Sequence, residues 1–576
     1  MPFAGQRATL SGMDVNKAPE PWRAGYAHPC AWEQDYEALS LPDLLARAVA
    51  EHAERPLVEF FGRTFSYAAV HEEARRFAAG LQEIGIAPGD RVGLFLPNVP
   101  VYVPAYYGAM LAGATVVNFS PLYTAAELEA QVADSGTRLL VTVDVPALLP
   151  KALEVLRNSP LETLVVSQLA DQLPWAKGLL VRLFGLGQVS RIPQEAGVAR
   201  WRDLLWQSAE PAPVAIDPCR TLALLQYTGG TTGTPKGAML THHNLTANAR
   251  QIEAIDPHQN ERDVILGALP LFHVFANACV LNRTVVDGGC IVMLPRFEVG
   301  QVLAAIRRTR PTTFPGVPTM FQALLDDPRL EGTDMGCLRV CISGGAPLPL
   351  AVKERFESLT GVRLCEGYGL TECSGVASAN AYEEVDRPGT IGQPLPATRL
   401  AMVDKEDPSR LVAPGEPGEL VIAGPQIMQG YWNRPEADAT AFTCIDGRRW
   451  LRTGDVAVLE TDGFVRIVDR LKDMIAVSGF KVFPSQVEAV LAQHPAVKEA
   501  LVIGMPDPYH GEVPRAFVTL KPGQAIPAEK LRDWLNDRVG KHERCDAVVI
   551  REAMPKTMIG KLDRKALRAE AGVAAG

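Results

Sequence analysis

Short apolar runs alternate with helix-like segments through most of the chain. From residue 91 to 144 the runs RVGLFL, ATVVNF and RLLVTVD are separated by AYYGAMLA and TAAELEAQVADSG. The alternation resumes after Pro311, where TTFPGVP, LRVCISGG and VRLCEGYG alternate with TMFQALLDD and PLAVKERFESLTG. Strands that alternate with helices in this way predict a parallel sheet covered by helices, and therefore an α/β fold.

One long apolar stretch also admits a membrane-spanning interpretation. Residues 92–126 contain no Lys, Arg, Asp or Glu, and the stretch is long enough to cross a bilayer. Pro97, Pro100 and Pro104 interrupt it, however, and Gly113 is typical of a helix C-terminus. We therefore predict a buried strand, a short helix and a second buried strand here.

A second segment, residues 169–193, mixes apolar and cationic side chains. Its cationic residues are Lys177, Arg182 and Arg191. Its large apolar residues are Trp175, Leu179, Leu180, Leu183 and Phe184. Such a helix could rest on a membrane surface or pack on its own domain, and we favour packing.

The pattern changes after Asp469 to that of a small α+β unit. Four strand-like runs, MIAVSGFKVF, VKEALVIGM, PRAFVTL and AVVIREAMP, accompany helices predicted at residues 484–493 and near 528–539. This length suits a separate domain. We predict an N-terminal extension over 1–40, a large domain over 41–468, a hinge over 469–474 and a mobile C-terminal domain over 475–576.

Composition narrows the classes of function. A chain of 576 residues exceeds what a single hydrophobic core usually supports. Its net charge of −9 offers no broad attraction for nucleic acid. The nearest cysteines, Cys337 and Cys341, lack zinc-site spacing, and the N-terminus lacks the apolar core of a secretory signal. We expect reduced thiols in a cytoplasmic protein.

The segment YTGGTTGTPKGAML, from Tyr227 to Leu240, carries the strongest chemical signal. TLALLQY and GAML are predicted as strands, and the loop between them is rich in glycine and threonine. Backbone and hydroxyl donors beside one lysine suit phosphate groups. The order of residues differs from the Walker loop, and a solvated surface turn is the alternative interpretation.

Two carboxylates add weaker signals. Glu372 follows the glycine-flanked Tyr368 in EGYGLTE, where it could hold Mg²⁺ against phosphate oxygens. Asp455, in RTGD, is suited to accept both hydroxyls of a ribose. Taken alone, each could equally be a solvated surface carboxylate.

Read together, the motifs resemble those of the adenylate-forming superfamily, and their residues are most similar to those of bacterial long-chain fatty-acid CoA ligases. The matching phrases occur in family order and cover nearly all of residues 41–567. They are YTGGTTGTPKGAMLTHHN, LPLFHVFA, SGGAPL, EGYGLTE, GELVIAGPQIMQGYWNRPE, LRTGDVAVLETDGFVRIVDRLKDMIAVSGFKVFPSQVE and PKTMIGKLDRKALR. The resemblance implies an acetyl-CoA synthetase-like fold: a large domain of layered α/β subdomains and a small mobile α+β domain.

The resemblance also implies roles for individual residues. Contacts to ATP and AMP are implied for Thr228, Gly229, Gly230, Thr231, Thr232, Gly233, Thr234, Lys236, Gly344, Gly345, Ala346, Glu366, Gly367, Tyr368, Gly369, Thr371, Asp455 and Arg470. Catalytic roles are implied for Lys561, Thr371, Glu372 and His273, with Glu372 as the Mg²⁺ ligand. CoA contacts are implied for Ser478, Gly479, Phe480 and Lys481, and Lys472 is the implied pivot.

The implied mechanism uses one site for two reactions. Lys561 offsets charge while a carboxylate attacks ATP; the small domain then rotates, and the strand around Gly479 replaces Lys561 to admit the CoA thiol. Relatives of the fatty-acid type commonly read GKILRR at this lysine, whereas this chain reads GKLDRK. The lysine itself is retained.

The leading hypothesis is an ATP-, Mg²⁺- and CoA-dependent ligase for medium- to long-chain fatty acids. Alternatives are an aryl-acid CoA ligase, an acyl-adenylate ligase that does not use CoA, and a non-catalytic acyl- or nucleotide-binding protein. An amino-acid adenylation domain is disfavoured, because we recognise no carrier or condensation module. The expected partner is a carboxylic acid, with peripheral contact at the inner membrane face and homodimer formation left open.

Overall fold

The computed structural model describes residues 18–185, 187, 189–206, 210–228, 235–259, 261–383, 385–478, 480–557 and 561–573. Within this part of the chain, two α/β sheets and a third, antiparallel sheet form a large N-terminal domain. A fourth sheet forms a small C-terminal domain. The predicted α/β fold with a small α+β unit is therefore confirmed.

The two α/β sheets contain sixteen of the described strands. In chain order these are β1 (Pro56–Phe60), β2 (Arg63–Ser66), β3 (Arg91–Leu94), β4 (Thr115–Asn118), β5 (Thr137–Val143), β6 (Thr163–Ser167), β7 (Val198–Arg200), β8 (Leu222–Thr228), β9 (Lys236–Thr241), β10 (Val264–Gly267), β11 (Cys290–Met293), β12 (Thr313–Gly316), β13 (Val340–Ser343), β14 (Arg363–Tyr368), β15 (Ser378–Ala379) and β16 (Gln393–Pro394). One sheet has the order β7-β6-β5-β3-β4-β8-β9, and the other has the order β16-β15-β14-β13-β12-β10-β11-β1-β2.

Ten further strands form the remaining two sheets. The antiparallel sheet contains β17 (Arg399–Val403), β18 (Pro417–Ala423), β19 (Phe442–Ile445), β20 (Arg448–Leu459) and β21 (Val465–Arg470); the C-terminal sheet contains β22 (Ile475–Val477), β23 (Phe480–Val482), β24 (Val497–Asp507), β25 (Gly511–Leu520) and β26 (Val548–Arg551). The C-terminal sheet has a hydrophobic core of its own, which includes Ile475, Leu491 and Val518. A separate core is what an independent small domain requires.

The helices cover the sheets. They are α1 (Leu41–His52), α2 (Tyr67–Glu83), α3 (Tyr102–Leu111), α4 (Ala125–Ser135), α5 (Leu149–Asn158), α6 (Leu169–Gln172), α7 (Trp175–Phe184), α8 (Trp201–Trp206), α9 (His242–Ala254), α10 (Val274–Ala276), α11 (Arg283–Asp287), α12 (Val299–Thr309), α13 (Pro318–Leu325), α14 (Leu350–Thr360), α15 (Pro435–Ala441), α16 (Pro484–Ala492), α17 (Ala528–Asn536) and α18 (Arg564–Glu570). A π-helical turn, Asn277–Asn282, joins α10 to α11.

Local sequence accounts for these elements. The core strands β4, β11 and β13 are buried along their whole length, as expected for a parallel sheet covered on both faces. Helix α4 begins at a capping box, in which the Thr124 side chain accepts from the Glu127 amide, and it ends at Gly136 with φ of +63°.

The long uncharged stretch folds as β3, α3 and β4, which confirms the strand–helix–strand prediction. In the described part of the chain, no helix is long and apolar enough to cross a membrane.

Helix α7, within residues 169–193, lies against its own domain, but its large apolar side chains are not the groups that pack there. Four of its large apolar side chains are solvent-exposed: Trp175 by 81%, Leu179 by 45%, Leu180 by 57% and Leu183 by 61%; the side chain of Phe184 is outside the described part of the structure. The helix packs through Gly178, where a Cβ atom would lie 2.4 Å from the Ala170 carbonyl oxygen. Because Leu180 and Leu183 project roughly opposite Gly178, they face outward.

Candidate active site

The predicted site residues that follow strands of the nine-stranded sheet lie at one edge of that sheet. Strands β10, β12, β13 and β14 are parallel neighbours, so the loops that follow them leave the sheet at the same edge. Gly344 follows β13, and its amide donates to the Gly316 carbonyl at the end of β12, 3.1 Å away. His273 lies beyond β10, and Thr371 and Glu372 follow β14 in a 3₁₀ turn, Thr371–Cys373.

Two glycines after β13 permit close approach by other side chains. At Gly344 a Cβ atom would lie 2.8 Å from Cζ of Phe275. Gly345 has φ of +80°, and a Cβ atom there would lie 2.8 Å from Cε and 2.9 Å from Nζ of Lys561. The positive φ favours glycine at position 345, and the close Phe275 ring favours it at position 344.

Lys561 thus reaches from the C-terminal domain to the sheet edge of the large domain. Burial and the nearby Arg470 charge lower the pKa of Lys561 to about 8, while Asp455 opposes that shift. Its loop is closed by two hydrogen bonds with Thr557: the Thr557 amide donates to the Lys561 carbonyl, and the Lys561 amide donates to the Thr557 hydroxyl. Lys561, Arg470 and Asp455 form one electrostatic cluster.

Asp455 is the anionic centre of this cluster. It lies inside β20, next to Gly454 with φ of +71°. Its side chain is 4% exposed, and Nε of Arg470 lies 3.0 Å from Oδ1. The Tyr368 hydroxyl donates to Oδ2 at 2.5 Å. A carboxylate offers about four acceptor positions, so two bonds leave capacity for further donors.

Glu366 and Tyr368 both lie in β14, the strand that leads to Glu372. Oε1 of Glu366 accepts from the Leu348 amide at 3.1 Å, and burial raises the pKa of Glu366 to about 8. Gly367, Gly369 and Ala346 belong to the same two chain segments as the residues above.

His273 caps the N-terminus of helix α10. Its Nδ1 accepts from the Phe275 amide at 3.2 Å, and burial together with the Lys561 charge lowers its pKa to about 4. The imidazole is therefore neutral near pH 7, and the proton resides on Nε2 because Nδ1 is the acceptor.

A buried arginine anchors α11, the helix that follows α10 and the π-helical turn after His273. Arg283, in α11, pairs with Glu253 at 3.0 Å and also contacts Asp256 and Asp263. A fully buried guanidinium stays charged, and such carboxylates offset the free-energy cost of removing it from water. The network ties α11 to α9 and to the segment that leads into β10.

The ends of the predicted phosphate loop are described. Strands β8 and β9 form an antiparallel hairpin that pairs Thr228 with Lys236, which confirms both predicted strands. Nζ of Lys236 lies 5.4 Å from the centroid of the Tyr431 ring. The predicted residues Gly229, Gly230, Thr231, Thr232, Gly233 and Thr234 lie outside the described residues.

Glu372 contacts the same aromatic residue, Tyr431. The Tyr431 hydroxyl donates to Oε1 of Glu372 at 2.7 Å, and within the described chain Oε2 accepts no hydrogen bond. No cluster of three or more His, Cys, Asp or Glu residues appears in that part of the chain. A single carboxylate with a free oxygen fits Mg²⁺ held mainly by phosphates, rather than in a protein cage.

Two of the residues predicted to contact CoA, Ser478 and Phe480, contact histidines of the C-terminal domain in this structure. The Ser478 hydroxyl lies 2.8 Å from Nδ1 of His510, and the Phe480 ring stacks on that of His542. Lys481 lies on β23, and Gly479 is outside the described residues. Lys472 lies in a 3₁₀ turn, Leu471–Asp473, where burial and Arg470 lower its pKa.

Sequence reasoning missed two residues that shape the site. Phe275 follows His273 within LPLFHVFA and packs on Gly344, while Tyr431 lies in QGYWN, a phrase that was matched without assigning its tyrosine a role. In both cases the sequence contained a signal that could have identified the residue, namely an aromatic side chain inside a matched motif.

Comparisons with known proteins agree with this geometry. The family model of the AMP-binding enzymes matches residues 45–432, and that of the AMP-binding enzyme C-terminal domain matches residues 486–561. The long-chain-fatty-acid–CoA ligase of Bacillus subtilis (strain 168) is 37% identical over 558 residues, which cover 96% of this chain and 98% of that protein. The enzyme of the same name from Escherichia coli O157:H7 is 38% identical over 549 residues, covering 92% and 94%.

A solved structure of a CoA ligase shares the fold of this chain. An anthranilate CoA ligase in complex with anthranoyl-AMP superposes with a TM-score of 0.81 at 27% identity, covering 93% of this chain and 99% of that one. The chain therefore belongs to the AMP-binding enzyme family, within the adenylate-forming superfamily that its motifs resemble.

Proposed function

We propose that this protein is a ligase that activates a medium- to long-chain fatty acid with ATP and transfers the acyl group to CoA. The observation that carries the proposal is the position of Lys561 against Gly345, beside Asp455 and Arg470. Full-length similarity to proteins named long-chain-fatty-acid–CoA ligase supports the acid and the acceptor.

In the first reaction a carboxylate oxygen of the fatty acid attacks the α-phosphorus of ATP. The bond from that phosphorus to the bridging oxygen breaks, and pyrophosphate leaves with the electron pair. Lys561 offsets negative charge at the attacking carboxylate and the α-phosphate, Thr371 contacts that phosphate, and Asp455 accepts from the ribose hydroxyls. Glu372 would hold Mg²⁺, which neutralises phosphate charge when bound.

Lys236 and the loop from Thr228 to Thr234 hold the outgoing phosphates. The adenine lies among Gly344, Gly345, Ala346, Glu366, Gly367, Tyr368 and Gly369. Neutral His273 flanks the acyl group without adding a charge beside the ammonium of Lys561.

In the second reaction the CoA sulfur attacks the acyl carbon. The carbon–oxygen bond to AMP breaks, AMP leaves, and the thiol proton is released. We propose that the C-terminal domain rotates about the 469–474 hinge near Lys472, so that Ser478, Gly479, Phe480 and Lys481 replace Lys561 at the site.

An aryl acid is the second candidate substrate, since an anthranilate CoA ligase shares the fold. Each methylene buried in an apolar tunnel contributes about 0.8 kcal/mol, so a fatty-acid site should discriminate steeply by chain length. The test is pyrophosphate release, with and without CoA, for acetate, octanoate, palmitate, oleate and coumarate. We expect release to rise from octanoate to palmitate and turnover to require CoA; activity confined to coumarate would refute the fatty-acid assignment.

We also propose that helix α7 contacts the membrane in which such acids dissolve. Trp175, Leu179, Leu180 and Leu183 are exposed together on one helix, and Lys177 flanks them. Insertion of an apolar helix face into the bilayer interface is favoured when cations border it.

A further inference from the structure

Tyr431 lies between two residues that the proposed function assigns to ATP. Its hydroxyl donates to Glu372 at 2.7 Å, and its ring faces the Lys236 ammonium with 5.4 Å between Nζ and the ring centroid. One side chain therefore contacts both the carboxylate assigned to the cation and the lysine assigned to the phosphates.

The backbone around Tyr431 is fixed on β9. Tyr431 forms an antiparallel bridge with Ala238, the Trp432 amide donates to the Gly237 carbonyl at 2.8 Å, and the Met239 amide donates to the Gly430 carbonyl at 2.9 Å. This short strip runs along the strand that begins at Lys236. The distance from Tyr431 to Lys236 is thus set by strand register.

A second set of contacts, centred on Asp134, also holds the segment around Tyr431 in place. Asp134 lies near the end of α4 and accepts from the Tyr227 hydroxyl and from Arg434, both at 2.6 Å. Its carbonyl accepts from Nε1 of Trp432 at 3.2 Å. Asp134 thereby joins the hairpin that carries the phosphate loop to the segment that carries Tyr431.

Glu372 depends on Tyr431 for its orientation. Among the described residues, the Tyr431 hydroxyl is the one group that donates to its carboxylate, through Oε1, so Oε2 stays available. Hydrogen bonds to metal-ligating carboxylates typically fix their orientation.

We propose that Tyr431 is a positioning residue of this active site: its hydroxyl orients the Glu372 carboxylate toward the cation, and its ring positions the Lys236 ammonium beside the phosphates. The inference rests on the proposed function, because it requires Glu372 to bind a cation that accompanies ATP.

The test is equilibrium binding of ATP to the full-length protein at increasing Mn²⁺, without a carboxylic acid. Tyr431→Phe should raise the half-saturating Mn²⁺ concentration about 10- to 100-fold, the usual range for loss of such a supporting bond. Metal-free AMP binding should not change. Tyr431→Leu, which also removes the ring, should weaken ATP binding by about a further 2- to 5-fold.

Two controls separate positioning from general structural damage. Tyr26→Phe removes a hydroxyl that donates to the Pro394 carbonyl at 2.8 Å, a contact with residues outside the proposed site, and should leave the Mn²⁺ dependence unchanged. In a Glu372→Gln background, Tyr431→Phe should add no further effect, because it acts through the carboxylate.

An unchanged Mn²⁺ dependence in Tyr431→Phe would overturn the inference while leaving the proposed function intact. Equal loss of AMP and ATP binding would overturn it too, since that result indicates a purely structural role. Wild-type ATP binding that ignores Mn²⁺ would refute the cation role of Glu372, and this inference with it.

Discussion

Lys561 occupies an environment that makes its charge sensitive to pH. A solvated lysine ionises near pH 10.4, but burial and Arg470 lower the pKa of Lys561 to about 8. The ammonium is therefore present below about pH 8 and is lost as pH rises through that value. If this charge assists attack on ATP, the first reaction must weaken in alkaline solution.

We expect kcat/KM for pyrophosphate release to fall with an apparent pKa near 8, because kcat/KM reports the free enzyme. The measurement runs from pH 6.5 to 9.5 at fixed palmitate, with MgATP varied well below its KM, so that kcat/KM for MgATP reports the enzyme before ATP binds. Lys561→Arg, whose guanidinium stays charged, is the matched control and should show no such fall. A wild-type profile that stays flat to pH 9.5 would contradict the assignment.

Helix α7 shows how one helix face can present an apolar surface to solvent. Gly178 packs on the Ala170 carbonyl, which leaves Trp175, Leu180 and Leu183 exposed. Asp171 in α6 pairs with Arg182 of α7 and Arg202 of α8, so ion pairs hold the helix in place. The exposed face is thus part of a fixed surface.

Trp175→Glu with Leu180→Glu should reduce cosedimentation with vesicles of mixed phosphatidylcholine and phosphatidylglycerol several-fold, since two apolar groups that enter the interface become charged. Tyr509→Glu is the matched control, because Tyr509 is an 88% exposed aromatic residue in the C-terminal domain. Binding that is equal in all three proteins would exclude α7 as the contact.

At the level of elements, the positions of strands and helices along the chain were predictable, but surface contacts were not. The alternation of apolar runs identified β3 to β5 and β12 to β14, since fully buried strands have a clear composition. The outward face of α7 could not be predicted, because periodicity does not reveal which neighbour a helix packs against. Tyr431 was missed for a similar reason: its contacts depend on how residues 429–432 pair with β9.

The whole molecule brings a residue of the small domain into a site built mainly by the large one. Arg564, three residues after Lys561, pairs with Asp473 in the proposed hinge and with Glu488 in α16. The segment just after Lys561 is therefore attached to the proposed pivot and to α16 of its own domain. The proposed rotation at the hinge would move Lys561 out of the site without breaking these ion pairs. From the sequence, this rotation was predicted only through the family resemblance.

The central claim is that Lys561 serves the first reaction and is absent from the second. The most direct test measures both half-reactions in Lys561→Ala: pyrophosphate release from ATP and palmitate, and palmitoyl-CoA formation from supplied palmitoyl-adenylate. Lys556→Ala is the control, since Lys556 forms a β-bridge with Leu562, next to Lys561, but its ammonium pairs with Glu499. We predict that Lys561→Ala slows the first reaction about 10²- to 10³-fold and leaves the second within a few-fold of wild type; equal loss of both would contradict the account.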